Sequence, residues 1–163
     1  MKKTTLIILA MITMSCNSQK FSDKALSTTL LSLEDKQVSF QDILKKHIGK
    51  TLVIEVWAGW CGDCIKNMPN LKKLQSNHPN VDFLFISMDK TSEKWKVAVE
   101  KHELVGDHFM ANDGMKGVFG TAMDIDWIPR YIILNKKGEI ELLRAIETDF
   151  DKVNETLLEL EKK

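Results

Sequence analysis

The stretch from Leu52 into the cysteine pair at Cys61 and Cys64 limits the fold more than any other part of the chain. Its first six residues, LVIEVW, carry a single charge, Glu55. Apolar side chains on both pleat faces, many of them β-branched, predict a strand covered on both sides. Ala58-Gly59-Trp60 ends the run, and Cys61-Gly62-Asp63-Cys64 opens a segment in which Ile65, Met68, Leu71 and Leu74 recur at helical spacing. Backbone N–H groups at a helix start are unpaired and carry partial positive charge, so a thiolate placed there is stabilised. Cys61 is therefore the expected nucleophile. Cys64, one turn on, is the expected resolving thiol of a mixed disulfide.

The chain has 163 residues, 23 basic and 23 acidic side chains, and 44% apolar residues. That suits one globular domain and leaves no charge excess for binding nucleic acid. A domain of about 135 residues buries roughly two-thirds of its unfolded surface without disulfide staples, so its cysteines are free to do chemistry. No second CxxC or nearby histidine pair completes a zinc site, and Ile65 stands where a c-type haem would need His. The eight methionines are scattered and read as fillers rather than a copper site. No metal or organic cofactor is expected.

Trp57-Ala58-x-Trp60-Cys61-x-x-Cys64, with Pro69 five residues after the second cysteine, resembles the active-site signature of the thioredoxin superfamily. The TlpA/ResA-type branch is the nearest match, from about Thr28 to the C-terminus. The resemblance implies an α/β thioredoxin fold, a central mixed sheet flanked by helices, with an N-terminal β-hairpin and a TlpA/ResA-type insertion. It also implies a thiol-disulfide oxidoreductase that reduces protein disulfides, apocytochrome c among the candidates, and that is re-reduced by a membrane thiol-transfer donor. An oxidase or isomerase of the same fold, and a non-catalytic thioredoxin-like binding module, are the alternatives.

The N-terminus agrees with an exported domain. Met1-Lys2-Lys3 is basic, and the apolar run Leu6 to Met14 ends at Ser15-Cys16, the layout of a secretory signal. The run is shorter than the roughly 20 residues that span a bilayer. Ser15-Cys16 resembles a bacterial lipobox, although Thr13 stands where an aliphatic residue is usual. Cys16 is then the lipidated first residue, holding the domain at the periplasmic side of the envelope, where disulfide substrates exist. Ordinary cleavage, leaving Cys16 on a tail, is the alternative. Residues 1–16 are thus expected as signal, 17–27 as a polar tether, and 28–163 as the thioredoxin-like domain.

Along the domain, Thr28–Leu33 and Gln37–Phe40 predict a hairpin, Gln41–His47 a short helix, and Val81–Met88 a second apolar strand. Thr91 or Ser92 can cap a helix with Trp95, Val99 and His102 on one face. Phe109–Ala111 reads as a short extra strand and Met115–Phe119 as a short helix. Tyr131–Leu134 and Glu139–Ile146 pair across a Gly138 turn. Thr148 and Asp151 predict a capping box for a last helix that buries Val153, Leu157 and Leu160.

Around the cysteines, the resemblance makes Pro129 the superfamily's cis-proline and Ile128 the backbone that pairs with a substrate strand. Glu55 matches thioredoxin's buried carboxylate, and an apolar strand should raise its pKa and suit it to accept the Cys64 proton. A strand-end glutamate reaching solvent is the competing reading. Asn67 stands where ResA-like proteins carry an active-site Glu. Trp60 and Trp127 are candidates for an apolar rim holding substrate, Trp127 equally for core packing. Asp124 and Asp126 could make that rim acidic. Gly62 and Asp63 are the expected tuning positions. Asp63 stands where most relatives have Pro, and at about 6 Å its charge costs the Cys61 thiolate roughly 0.7–2.8 kcal/mol, depending on solvent screening. The helix terminus returns about 0.3–1 kcal/mol, so Cys61 should not be strongly acidic and the dithiol should act as a reductant.

Overall fold

In the computed structural model, which describes residues 19–162, the run Leu52–Trp57 is a strand with every residue buried. The expected signal segment and Cys16 lie outside the described residues. The strands are β1 (Thr29–Ser32), β2 (Gln37–Ser39), β3 (Leu52–Trp57), β4 (Asp82–Ser87), β5 (Asp107–Met110), β6 (Arg130–Leu134) and β7 (Ile140–Ala145). The helices are α1 (Asp23–Ser27), α2 (Phe40–Lys45), α3 (Gly62–Asn77), α4 (Ser92–His102), α5 (Val118–Ala122) and α6 (Phe150–Glu161). Among the described residues the strands form one mixed sheet in the order β2-β1-β5-β4-β3-β6-β7.

β3 runs parallel to β4 and antiparallel to β6, so its backbone is paired on both edges. Its side chains join β4 and β6 residues and the buried faces of the helices in one apolar core. Strands packed on both faces read as unbroken apolar runs, which is why β3, β4 and β6 are legible in sequence. The inserted strand β5 pairs parallel with β4 and antiparallel with β1, and so couples the N-terminal hairpin to the central strands. Gly106 makes that approach feasible. It has φ +145°, and a Cβ there would lie 2.4 Å from the Phe83 carbonyl oxygen. A residue with a side chain would push β5 away from β4.

Three expectations need correction. The tether is ordered from its middle onward: Ser22 caps α1 by accepting from the Ala25 N–H, Ala25 is buried, and the Phe21 ring packs edge-on against Phe40 with centroids 5.2 Å apart. Two apolar contacts and a cap suffice there, and five residues are too few to display a helical period. The helix expected at Met115–Phe119 begins instead at Val118, because residues 111–117 form successive turns and the Asp113 carboxylate accepts the Val118 N–H. The last helix lacks the Thr148–Asp151 box. A 3-10 turn, Glu147–Asp149, precedes it, and the Asp149 carboxylate accepts from the Ile146 N–H at 3.0 Å. Its buried stripe of Val153, Leu157 and Leu160 is as expected. His78, just past α3, holds α6 in place through Asn154 at 2.9 Å and Glu161 at 3.0 Å.

Candidate active site

β3 ends at Trp57, and the turn behind it delivers Cys61 as the N-cap of α3. An N-cap residue keeps an extended backbone while its side chain faces the free N–H groups of the first turn. Here the Cys61 sulfur fills that role, accepting the Cys64 N–H at 3.1 Å. Cys61 and Cys64 are disulfide-bonded, with Cα atoms 5.3 Å apart. Their surroundings differ: Cys61 keeps 6% exposure and Cys64 none. Both residues are buried, and of the two only Cys61 keeps any exposed surface.

The turn is held in place by a residue that sequence reasoning passed over. Asp89, buried at the end of β4, accepts from the Gly59 N–H at 2.8 Å and from the Ser87 hydroxyl at 2.8 Å. The loop after β3 is thus pinned to the loop after β4. Gly59 is required there, because a Cβ would come within 2.6 Å of Ala98 Cβ on α4. Gly62 has no such constraint; a Cβ on it would meet nothing within 4 Å.

Opposite the cysteines, the Ile128–Pro129 peptide bond is cis, and the Ile128 carbonyl oxygen lies 3.6 Å from the Cys61 sulfur. Ile128 and Pro129 precede β6, which pairs with β3, so sheet register brings this loop to the end of β3 where the cysteine turn begins. Among the described residues none accepts from the Ile128 N–H. Trp60 beside Cys61 is 57% exposed and Trp127 beside Ile128 is 49% exposed. Each therefore presents an indole next to one half of the site, and Trp127 anchors its ring by donating to Glu147 at 3.3 Å.

Asp124 and Asp126 do not form a free acidic rim. Arg130, buried, donates to Asp126 and to the Arg144 carbonyl at 2.8 Å, while Arg144 donates to Asp124 and to Asp126 at 2.6 Å. The two carboxylates are neutralised and tie the segment before Pro129 to β7. Asp63 is exposed in the first turn of α3. Solvent around it keeps the effective dielectric near that of water, so its repulsion of a Cys61 thiolate takes the low end, about 0.7 kcal/mol.

A second cluster joins β3, β6 and α3. Glu55 is 1% exposed, so it does not reach solvent at the strand end. Burial pushes its carboxyl up to about 8, against the lowering effect of a hydrogen bond donated by Tyr131 at 3.1 Å. Asn67, also buried, donates to the Tyr131 hydroxyl oxygen at 2.9 Å. The other carboxyl oxygen, Oε2, is buried without a partner. Tyr131 lies directly across from Glu55 in the β3–β6 register. It escaped sequence reasoning because an aromatic in an apolar strand reads as core. The usable signal was that a buried phenol needs a hydrogen-bond partner and Glu55 is the polar residue in the adjoining strand.

The chain is similar to known proteins in sequence and fold. A family model described as thioredoxin-like matches residues 49–140. The sporulation thiol-disulfide oxidoreductase A of Bacillus subtilis is 25% identical over 113 residues, 65% of this chain and 66% of that protein. The thioredoxin-like protein YneN of the same organism is 26% identical over 125 residues, 74% of this chain and 65% of that protein. The chain thus spans just under two thirds of the length of these curated relatives. A Bacteroides vulgatus structure named for thiol-disulfide oxidoreductase activity superposes with a TM-score of 0.69 at 32% identity, covering 91% of this chain and 94% of that one. A secreted Mycobacterium tuberculosis disulfide oxidoreductase shares the fold, with a TM-score of 0.65 at 20% identity over 85% of this chain and 100% of that one.

Proposed function

The chain belongs to the thioredoxin-like family, and we propose that it is a thiol-disulfide oxidoreductase reducing protein disulfides at the periplasmic side of a cell envelope. The observation that carries this reading is the placement of Cys61. Its sulfur caps α3, accepts an amide N–H at 3.1 Å, and lies 3.6 Å from the Ile128 carbonyl beside exposed Trp60 and Trp127. In the reduced protein the Cys61 thiolate attacks one sulfur of a substrate disulfide, and the substrate's other sulfur leaves as a thiolate. Cys64 then loses its proton to Glu55 and attacks the Cys61 sulfur, which expels the second substrate thiolate. The two electrons pass from the cysteine pair to the substrate, leaving the disulfide seen here. An extended substrate segment pairs with the free Ile128 N–H beside Pro129 while the two indoles exclude water. The reaction uses no metal or organic cofactor, and a membrane thiol-transfer protein returns the electrons.

The reducing direction follows from a weakly stabilised thiolate. The helix terminus supplies about 0.3–1 kcal/mol and the solvated Asp63 removes about 0.7 kcal/mol, so the two nearly cancel. The potential is then expected nearer thioredoxin's about −270 mV than DsbA's about −120 mV. Export and lipidation at Cys16 fit the N-terminal sequence, and substrates such as apocytochrome c fit the family. Insulin reduction by the wild-type protein and by Cys61→Ser tests the activity. Wild type is expected to precipitate the insulin B chain and the variant is not; equal behaviour would end the proposal. Equilibration with glutathione tests the direction, and a potential above about −180 mV would make the protein an oxidant or isomerase.

A further inference from the structure

The cluster of Glu55, Tyr131 and Asn67 has a direction built into it. Asn70 Nδ2 donates to Asn67 Oδ1 at 2.8 Å, Asn67 Nδ2 donates to the Tyr131 hydroxyl oxygen at 2.9 Å, and Tyr131 donates to Glu55 Oε1 at 3.1 Å. A phenol has one O–H proton. With an amide N–H₂ group on its oxygen, that proton is left to point at the carboxyl group. The ring itself is fixed independently, packed edge-on against Phe150 of α6 with centroids 5.4 Å apart. Glu55 therefore has one oxygen held by a neutral donor and one, Oε2, buried with no partner at all. A buried oxygen without a partner is costly unless it serves some purpose.

We propose that Tyr131, aimed by Asn67, is a positioning residue for Glu55: its hydroxyl holds Oε1 and leaves Oε2 as the atom that takes and returns the proton of Cys64. The proposal rests on the reading of Glu55 as proton acceptor given above. Among the described residues no other charge acts on Glu55. The strand neighbours of Glu55 are Phe85 on β4 and Tyr131 on β6, and α3 reaches the cluster through Asn67, which lies one turn after Cys64 in that helix. Beyond these, Glu147 before α6 acts on Tyr131, whose own ionisation burial and the neighbouring Glu55 push well above the usual range. The phenol thus stays protonated and remains a donor whatever the state of Glu55. A donor fixed to the ionised carboxylate lowers its proton affinity, so Tyr131 offsets part of the upward push of burial.

The chain has a single tyrosine, which makes a two-sided test available. Tyr131→Phe keeps the ring and its packing but removes the donor. Biosynthetic replacement of tyrosine by fluorotyrosine keeps the donor and makes it stronger, because fluorine acidifies a phenol. The readout is the Glu55 carboxyl titration by carbon NMR in the disulfide form, where neither Cys61 nor Cys64 titrates, with Glu55→Gln identifying the signal. Tyr131→Phe is expected to move the midpoint upward by about one pH unit or more, and fluorotyrosine to move it downward. Opposite displacements cannot arise from loss of packing. An unmoved midpoint in Tyr131→Phe overturns the proposal, as does an upward or absent shift with fluorotyrosine should Tyr131→Phe fail to fold. Because no turnover is involved, the failures separate. Shifted titrations in a protein that reduces no disulfide retire the enzymatic reading alone, and unmoved titrations in an active one retire the role of Tyr131 alone.

Discussion

Arg130 and Tyr131 are neighbours on β6, and the alternation of a strand sends them to opposite faces of the sheet. Both are buried, and each faces acidic groups. Arg130 meets Asp126, which Arg144 also pairs, and Arg144 pairs Asp124, so both of these carboxylates have a cation beside them. Tyr131 meets Glu55, which has a hydrogen bond but no counter-charge and one oxygen without any partner. The first cluster is compensated and holds a loop. The second is uncompensated, so its carboxyl ionises only near about 8, both of its states are present near neutral pH, and it can take up and return a thiol proton. A neutralised charge on one face suits a part that must not move. A carboxyl group without a counter-charge on the other suits a part that must change state.

The largest expected consequence lies in stability. Unfolded, Glu55 ionises near its usual 4.5, while in the folded protein it ionises near about 8. The folded state therefore holds more protons at Glu55 between these values, and the contribution of this group to stability is fully present below pH 4.5 and is lost as pH rises to about 8. The loss amounts to up to about 5 kcal/mol. Urea unfolding of wild type from pH 4 to 9 should follow that decline, and Glu55→Gln should flatten it. A wild-type curve without the decline would place Glu55 in contact with a cation or solvent and erase the contrast with Arg130.

Next in size is a rate. Glu55→Gln should slow the closing step, in which Cys64 displaces the substrate from Cys61, by about 10²-fold near neutral pH. Attack by Cys61 on the substrate should be nearly unchanged. Rapid mixing of a preformed mixed disulfide reads the closing step by itself, and equal rates in the two proteins would remove Glu55 from the mechanism.

On the compensated face, Asp126→Asn removes one partner of a buried guanidinium. Asp126 is itself exposed, so the expected loss of stability is modest and smaller than that of a fully buried pair. The Glu55 titration should stay where it is. A displaced titration would mean the two clusters are coupled through β6. The smallest effect is expected at Asp63, whose charge faces water. Asp63→Asn should stabilise the Cys61 thiolate slightly and raise the potential by about 15 mV, the equivalent of about 0.7 kcal/mol. A change several times larger would place that carboxylate against the sulfur.

The parts legible in sequence are those fixed by period and local chemistry. β3, β4 and β6 are unbroken apolar runs, α3 has its stripe behind Cys61, and the hairpin β1–β2 is marked by the Glu34-Asp35-Lys36 turn. Where few residues act, as in α1 and α5, caps and single contacts decide the outcome and leave no period to read. The site divides in the same way. Cys61, Cys64 and Glu55 announce themselves by type and place. Asp89, Tyr131 and the Arg130 pairings depend on which loops and strands come together: Gly59 meets Asp89 only because β3 and β4 are adjacent, and Tyr131 faces Glu55 only in the β3–β6 register.

The asymmetry between the two sulfurs can be measured directly. Cys64→Ser and Cys61→Ser each retain one thiol of the pair, and an aromatic disulfide that releases a coloured thiolate reports how fast that thiol attacks. With 6% exposure and an amide N–H on its sulfur, Cys61 in the Cys64→Ser protein should react at least about 10²-fold faster than the fully buried Cys64 in the Cys61→Ser protein. Equal rates, or a faster Cys64, would contradict the assignment of Cys61 as the attacking thiol.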